Sequence, residues 1–158
     1  MREELIVAIG EICSREVVVT GRDTTATQAA KLMREHHVGS IIVADDRNGK
    51  RVPAGIVTDR DIVVAVLALG LNPDAIQVGD LMNRELLVVR ENAGVAETIE
   101  LMRAKGVRRV PVTDAGGSLV GIVAADDMLS LLAEEMSALA TMVSREHKRE
   151  VEIRKKML

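Results

Sequence analysis

Along the chain, the spacing of apolar positions changes in a set order, and that order occurs twice. Short runs of aliphatic residues, Val17–Thr20 and Leu86–Val89, predict strands. Each is followed by a polar turn, Gly21-Arg22-Asp23-Thr24 or Arg90-Glu91-Asn92, with Asp, Thr or Asn suited to capping a helix. Apolar positions then fall three and four apart. Ala26, Ala29, Ala30 and Met33 share one helical face, and Val95, Thr98, Ile99 and Met102 share its counterpart. Continuous apolar stretches, Val38–Ala44 and Val107–Thr113, predict buried strands. Turn clusters Asp45-Asp46-Arg47-Asn48-Gly49 and Asp114-Ala115-Gly116-Gly117 close them. Strands Ala54–Val57 and Leu119–Val123 then run into helices beginning near Asp59 and Asp126. With the lead-ins Glu3–Ile12 and Ala75–Met82, each unit reads β-α-β-β-α, an α+β plan.

The two units also match residue by residue. From Ile9 to Asp45 the echo lies 69 positions on: Gly10 meets Gly79, Arg15-Glu16 meets Arg84-Glu85, and Leu32-Met33-Arg34 meets Leu101-Met102-Arg103. After a loop the offset becomes 66, so that Gly55-Ile56-Val57 meets Gly121-Ile122-Val123 and Asp61 meets Asp127. Two copies are too few for a solenoid. They predict two half-domains packed with pseudo-twofold symmetry, sites arising at their junction. The link Gly70-Leu71-Asn72-Pro73-Asp74 is a short loop. Expected divisions are residues 1–70, residues 71–135, and a helical extension over 136–158. In the last helix Leu131, Leu132, Met136, Leu139, Met142 and Val143 recur at helical spacing, before a charged tail over Ser144–Lys156. This reads either as a dimer contact or as a solvated, frayed end.

Composition narrows the functional classes. A net charge of -3 over 158 residues and the absence of Phe, Tyr and Trp argue against nucleic acid, since single-strand binding leans on base–aromatic stacking. The basic residues Lys105, Arg108, Arg109 and Arg145–Lys156 are the only footing for that reading. A planar ligand would have to lie between aliphatic side chains. One cysteine, Cys13, excludes an internal disulfide and reads as a small buried apolar residue. His36-His37, adjacent in sequence, is poor geometry for a metal and reads as a polar turn. No apolar run reaches membrane-spanning length, and Met1-Arg2-Glu3-Glu4 does not read as a signal peptide. Cytoplasmic residence is expected. There is no nucleophile–base pairing, metal cluster or Gly-rich phosphate loop, so catalysis is not expected.

Gly55-Ile56-Val57-Thr58-Asp59-Arg60-Asp61 and Gly121-Ile122-Val123-Ala124-Ala125-Asp126-Asp127 close the two units at repeat-consistent positions. With Val107-Arg108-Arg109-Val110-Pro111-Val112, they resemble the cystathionine-β-synthase (CBS) domain pair, also called a Bateman module. The resemblance covers about Ile9 to Glu135. It departs from the family's pattern at Ala124, where Thr or Ser is usual, and at Ile42, where proline is common. It implies two CBS motifs packed as one module and an adenine nucleotide or adenosyl compound bound between them. AMP, ADP and ATP are the first candidates, S-adenosylmethionine and NAD the second, with no required cofactor and no metal. The implied contacts are Thr58 near ribose and phosphate, Asp61 and Asp127 on ribose hydroxyls, and the strand entrances Val38, Gly39, Ser40 and Val107, Arg108, Arg109 on base and phosphate.

The residues themselves leave alternatives. Thr58-x-x-Asp61 is also a helix capping box. A hydroxyl and free N–H groups at that helix start would suit an anion. Arg108 and Arg109, adjacent on a strand, should point to opposite faces, so at most one would reach a given phosphate. Ala124 can neither cap nor offer a hydroxyl, which predicts one competent cleft and one weakened or adapted to another ligand. The expected function is a non-enzymatic sensor that binds a nucleotide between its repeats and acts as a homodimer or on an unidentified protein partner. The alternative is a ligand-free scaffold that recruits its partner through the C-terminal helix.

Overall fold

A computed structural model describes residues 7–83 and 85–157. Residues 3–6 of the expected first lead-in, and Arg84 of the repeat match, lie outside the described residues. The chain divides into two compact units, Met1–Ala124 and Ala125–Leu158.

In the first unit, α1 (Ile9–Ile12), β1 (Val19–Thr20), α2 (Ala26–His36), β2 (Ser40–Arg47), β3 (Lys50–Thr58) and α3 (Asp59–Ile62) are followed by a π-helical turn, Val63–Leu67. The series then recurs as α4 (Val78–Leu81), β4 (Val89–Arg90), α5 (Val95–Lys105), β5 (Arg109–Thr113) and β6 (Leu119–Ala124). Each repeat builds a three-stranded sheet, ordered β1-β2-β3 and β4-β5-β6. The first pair is parallel because a helix crosses over between its strands; the second is an antiparallel hairpin. Even the irregularity repeats, with a register shift after Val43 against β3 and after Val112 against β6. The hairpin between those strands is longer in the first repeat, which accounts for the change of offset along the sequence.

The lead-ins cross over. One apolar cluster joins Ala26, Ala29, Met33, Ile41, Val43 and Val57 of the first repeat to Val78 and Met82 of the second. Backbone amides fix the exchange. Val78 donates to the Thr24 carbonyl at 2.8 Å and Gly79 to that of Arg22 at 2.9 Å. In return Ile9 donates to the Ala93 carbonyl at 2.8 Å and Gly10 to that of Glu91 at 2.7 Å, while Ser14 and Ile122 bridge each other. Two glycines admit the incoming chains. A Cβ on Gly55 would lie 2.6 Å from the Met82 sulfur, and one on Gly121 would lie 2.7 Å from the Cys13 sulfur and from the Ser14 carbonyl oxygen. Each repeat therefore completes its core with a piece of the other.

The structure departs from the sequence reading in several local features. β2 runs on to Arg47, so the expected five-residue turn shrinks to Asn48 and Gly49, with φ of 56° and 78°. A two-residue turn with positive φ matches strand twist and keeps Asp45 and Asp46 in register with Val52 and Arg51. Asp45 then accepts two hydrogen bonds from Arg22, at 2.7 and 2.9 Å. That hydrogen-bonded contact, opposed by partial desolvation and reinforced by the charges of Arg22 and Arg47, holds the Asp45 carboxyl below its ordinary value. Ala30, expected on the buried face of α2, is exposed, and Cys13 is only half-buried, at the rim of the Gly121 contact. His36 ends α2, and His37 caps it in the left-handed conformation, as Gly106 does for α5.

The second unit is one helix, α6 (Ala125–Lys156), about 48 Å long. The tail over Ser144–Lys156, read from sequence as fraying or as an interface, is helical throughout. Acidic Asp126 and Asp127 in the first turn and basic Arg154, Lys155 and Lys156 in the last complement the helix dipole. Among the described residues no helix is long and apolar enough to cross a membrane.

Candidate functional site

β3 ends at Thr58 because Thr58 opens α3. Its hydroxyl oxygen accepts from the Asp61 amide at 3.2 Å, and its own amide donates to Asp61 Oδ2 at 2.8 Å. The capping box is thus formed in full. It occupies one face of each side chain: the Thr58 hydroxyl keeps its proton to donate, and Asp61 Oδ1 lies outside the box. The neighbouring amides are committed as well. Asp59 donates to the Gly39 carbonyl at 3.0 Å and Arg60 to Asp59 Oδ1 at 2.8 Å. The expectation that free N–H groups at this helix start face an anion is therefore corrected, because local side chains and the Gly39 carbonyl already satisfy them.

Positive charge comes instead from guanidinium groups. Thr58, Arg60 and Asp61 of the first repeat line a cavity of about 400 Å³ with Asn83, Glu85, Leu86, Leu87, Val107, Arg108 and Arg109 of the second. Three arginines, a hydroxyl and two carboxylates meet an aliphatic wall of Ile56, Leu86, Leu87 and Val107. The volume lies within the range of small-molecule sites, ~300–1,000 Å³. Chemically, the arrangement pairs phosphate-binding donors with hydroxyl acceptors and an apolar slot. Arg108 falls in the bend before β5; it lines this cavity together with Arg109, the first residue of the strand.

The pseudo-symmetric partner is a smaller cleft of about 270 Å³, lined by Ser14, Glu16, Val17 and Val18, by Val38, Gly39 and Ser40, and by Ile122 and Ala124. Its lining positions repeat those of the larger cleft apart from Arg60 and Asp61, with Ala124 for Thr58 and Gly39 and Ser40 for Arg108 and Arg109. Its one guanidinium is Arg109, which lines both clefts. The nine expected site residues thus divide into three groups. Thr58, Asp61, Val107, Arg108 and Arg109 converge in the larger cleft; Val38, Gly39 and Ser40 line the smaller; Asp127 stands in the first turn of α6. Sequence reasoning missed Arg60, Asn83, Glu85, Leu86 and Leu87. The repeat itself marked Glu85, since Arg15-Glu16 is echoed by Arg84-Glu85 and Glu16 lines the matching cleft. A broader hollow of about 700 Å³, reaching His36, Asp45 and Arg51, lies within the first repeat alone. Among the described residues no three His, Cys, Asp or Glu side chains group to hold a metal ion.

Comparison with known proteins agrees with this architecture. The family model for the CBS domain matches residues 9–68 and again 78–134. An uncharacterized protein of Methanopyrus kandleri is 39% identical over 125 residues, which cover 79% of this chain and 62% of that protein. Hypoxic response protein 1 of Mycobacterium tuberculosis is 37% identical over 124 residues, 78% of this chain and 84% of that one. Its crystal structure, with two coordinated zinc ions, superimposes with a TM-score of 0.68 at 36% identity, covering 78% of this chain and 97% of that chain. A CBS domain protein of Pyrobaculum aerophilum complexed with AMP gives 0.69 at 26% identity, over 77% and 89% of the two chains. The chain belongs to the CBS domain family and carries two CBS domains in tandem.

Proposed function

We propose that this CBS pair is a sensor that binds one adenine nucleotide in the larger cleft. CBS domains are regulatory modules, and the reading adds which cleft of this chain is loaded and with what. The observation that carries it is the meeting, in one cavity built by both repeats, of the Thr58–Asp61 box with Arg60, Arg108 and Arg109 beside an aliphatic slot. The arginines would take the phosphate, the Thr58 hydroxyl would donate to a phosphate or ribose oxygen, and Asp61 would accept from the ribose diol. The purine would lie between Ile56, Leu86, Leu87 and Val107. The Pyrobaculum relative with AMP bound makes AMP the first candidate, followed by ADP and ATP, then S-adenosylmethionine and NAD. The smaller cleft, with Ala124 where the larger has the Thr58 hydroxyl and with one shared arginine, would stay empty or take another ligand.

The same reading makes the active form a homodimer whose geometry responds to the nucleotide. Val63, Val64 and Leu67, on the π-helical turn just after Asp61, are each more than half exposed, next to the residues a ligand would hold. Switching requires that the ligand bind one arrangement more tightly than another. The test uses the protein's own transparency. Without Trp or Tyr, its absorbance near 260 nm comes almost wholly from any bound purine. Purified protein should release a purine on denaturation, identifiable by mass spectrometry, or take up AMP, ADP or ATP in equilibrium dialysis. A protein that neither carries nor takes up any of these nucleotides defeats the proposal.

A further inference from the structure

On α6, Leu129, Leu132, Met136, Leu139 and Val143 alternate three and four residues apart. This spacing keeps one stripe turned toward a second helix in a two-stranded coil. Each of the five is between 46% and 70% exposed, so within this chain the stripe is uncovered. Continued along the helix, the series reaches Glu146 and Glu150 before Ile153. We propose that this stripe packs against the same stripe of a second copy of the chain, with the two α6 helices antiparallel.

Charge selects the occupant and its direction. A parallel pair would stack Glu146 on Glu146 and Glu150 on Glu150 inside the seam and bring Arg149 beside Arg154 at its flank. All three are like-charge contacts, and the first two would also be desolvated. In an antiparallel pair with the apolar stretches overlapped, Leu132 meets Val143, Met136 meets Leu139, and Glu146 moves out to the end beside Leu129. The distribution of charge favours the same arrangement. The first half of α6 carries Asp126, Asp127, Glu134 and Glu135 and no Lys or Arg, whereas Arg145, Lys148, Arg149 and the Arg154-Lys155-Lys156 run lie in the second half. Turning one copy end for end in this register sets Asp126 and Asp127 of each opposite Arg149 and Lys148 of the other, and the two helix dipoles oppose. A helix complementary to its own reversed copy suits a twofold contact between identical chains; an unrelated partner would require neither feature.

The inference rests on the homodimer reading and names its seam, and the experiment separates the two. Sedimentation of the full chain should give twice the monomer mass of 17.1 kDa. The exposed double substitution Leu132→Glu/Leu139→Glu should raise the dimer dissociation constant about 100-fold or more, since it puts a carboxylate into both Leu132–Val143 and both Met136–Leu139 layers of a short coil, with the circular dichroism of the body retained. Direction is read by spin labels in a Cys13→Ala/Ser130→Cys chain. Antiparallel helices in this register place residue 130 opposite residue 145, so the two labelled positions should be roughly 25–30 Å apart; parallel helices would bring them to about 15 Å. A chain monomeric at every concentration overturns this inference and the homodimer reading together. A dimer indifferent to Leu132→Glu/Leu139→Glu overturns the seam alone, and a short label distance overturns the antiparallel arrangement.

Discussion

Thr58 caps α3 and, in the proposed function, also holds the ligand, and the two effects are read by different assays. As the N-cap of α3 it accepts the Asp61 amide at 3.2 Å. As a cavity-lining hydroxyl it keeps a proton for a ligand. Thr58→Ala removes both. Loss of the cap costs about 1 kcal/mol, which for a chain of this length lowers Tm by about 2–4 °C. Loss of a hydroxyl bond to a charged phosphate costs about 1.5–3 kcal/mol, or a roughly 10- to 150-fold weaker Kd. Thr58→Ser keeps the oxygen and its proton and should restore most of both quantities. Differential scanning calorimetry reads the first quantity and nucleotide titration the second. If Thr58→Ala loses the expected stability but binds nucleotide as tightly as the parent chain, Thr58 is a cap only and its assignment to the ligand is wrong.

Three further outcomes follow from the packing. Gly55→Ala and Gly121→Ala should each cost roughly 1–3 kcal/mol by overpacking the crossed lead-ins. No side-chain rotation relieves either, and both losses should show in thermal unfolding, because the Met82 Cβ at 2.8 Å from the Cβ added at Gly55 and the Ser14 carbonyl oxygen at 2.7 Å from that at Gly121 are both fixed by the backbone. Gly49→Ala, in a turn with φ of 78°, should cost about 1 kcal/mol and leave nucleotide affinity unchanged, since the hairpin tip lies outside both clefts. The Asp45–Arg22 pair gives a pH dependence. With its folded pKa lowered, Asp45 contributes stability above its unfolded pKa, and that contribution is lost as pH falls through the folded value. Urea unfolding should therefore find the parent chain more stable than Asp45→Asn at neutral pH, with the gap closing as pH drops below the usual carboxylate range.

Much of this architecture is legible in the sequence because the repeat states it twice. A helix such as α2 is marked both by its own spacing and by that of α5, and the glycines at 55 and 121 stand at matching positions. What escaped was geometry that periodicity does not encode. Arg108 precedes β5, so strand alternation does not govern it, and two neighbouring arginines line one cavity. The Asp45–Gly49 cluster reads as five turn-forming residues, yet cross-strand pairing draws the first three into β2. The crossing of the lead-ins is long-range, and only Gly10 against Gly79 hinted that both would need close approach. Of the cleft, the Gly-to-Asp heptapeptide pointed to Thr58 and Asp61, and the family resemblance added the β5 entrance. The wall of Leu86 and Leu87 stayed hidden because those residues read as strand. In the fold β4 starts only at Val89, which leaves them in the irregular segment that faces the cavity.

The central claim is one loaded cleft per chain, in a module with two. Calorimetric titration of the full chain with AMP, ADP and ATP in turn measures it directly, repeated on Arg60→Ala/Arg108→Ala and on Ser40→Ala. At least one nucleotide should saturate at one equivalent per chain, with affinity reduced at least about tenfold by the double arginine substitution and unchanged by Ser40→Ala. Absence of heat with every nucleotide, or binding that survives loss of Arg60 and Arg108 but fails with Ser40→Ala, would contradict the account.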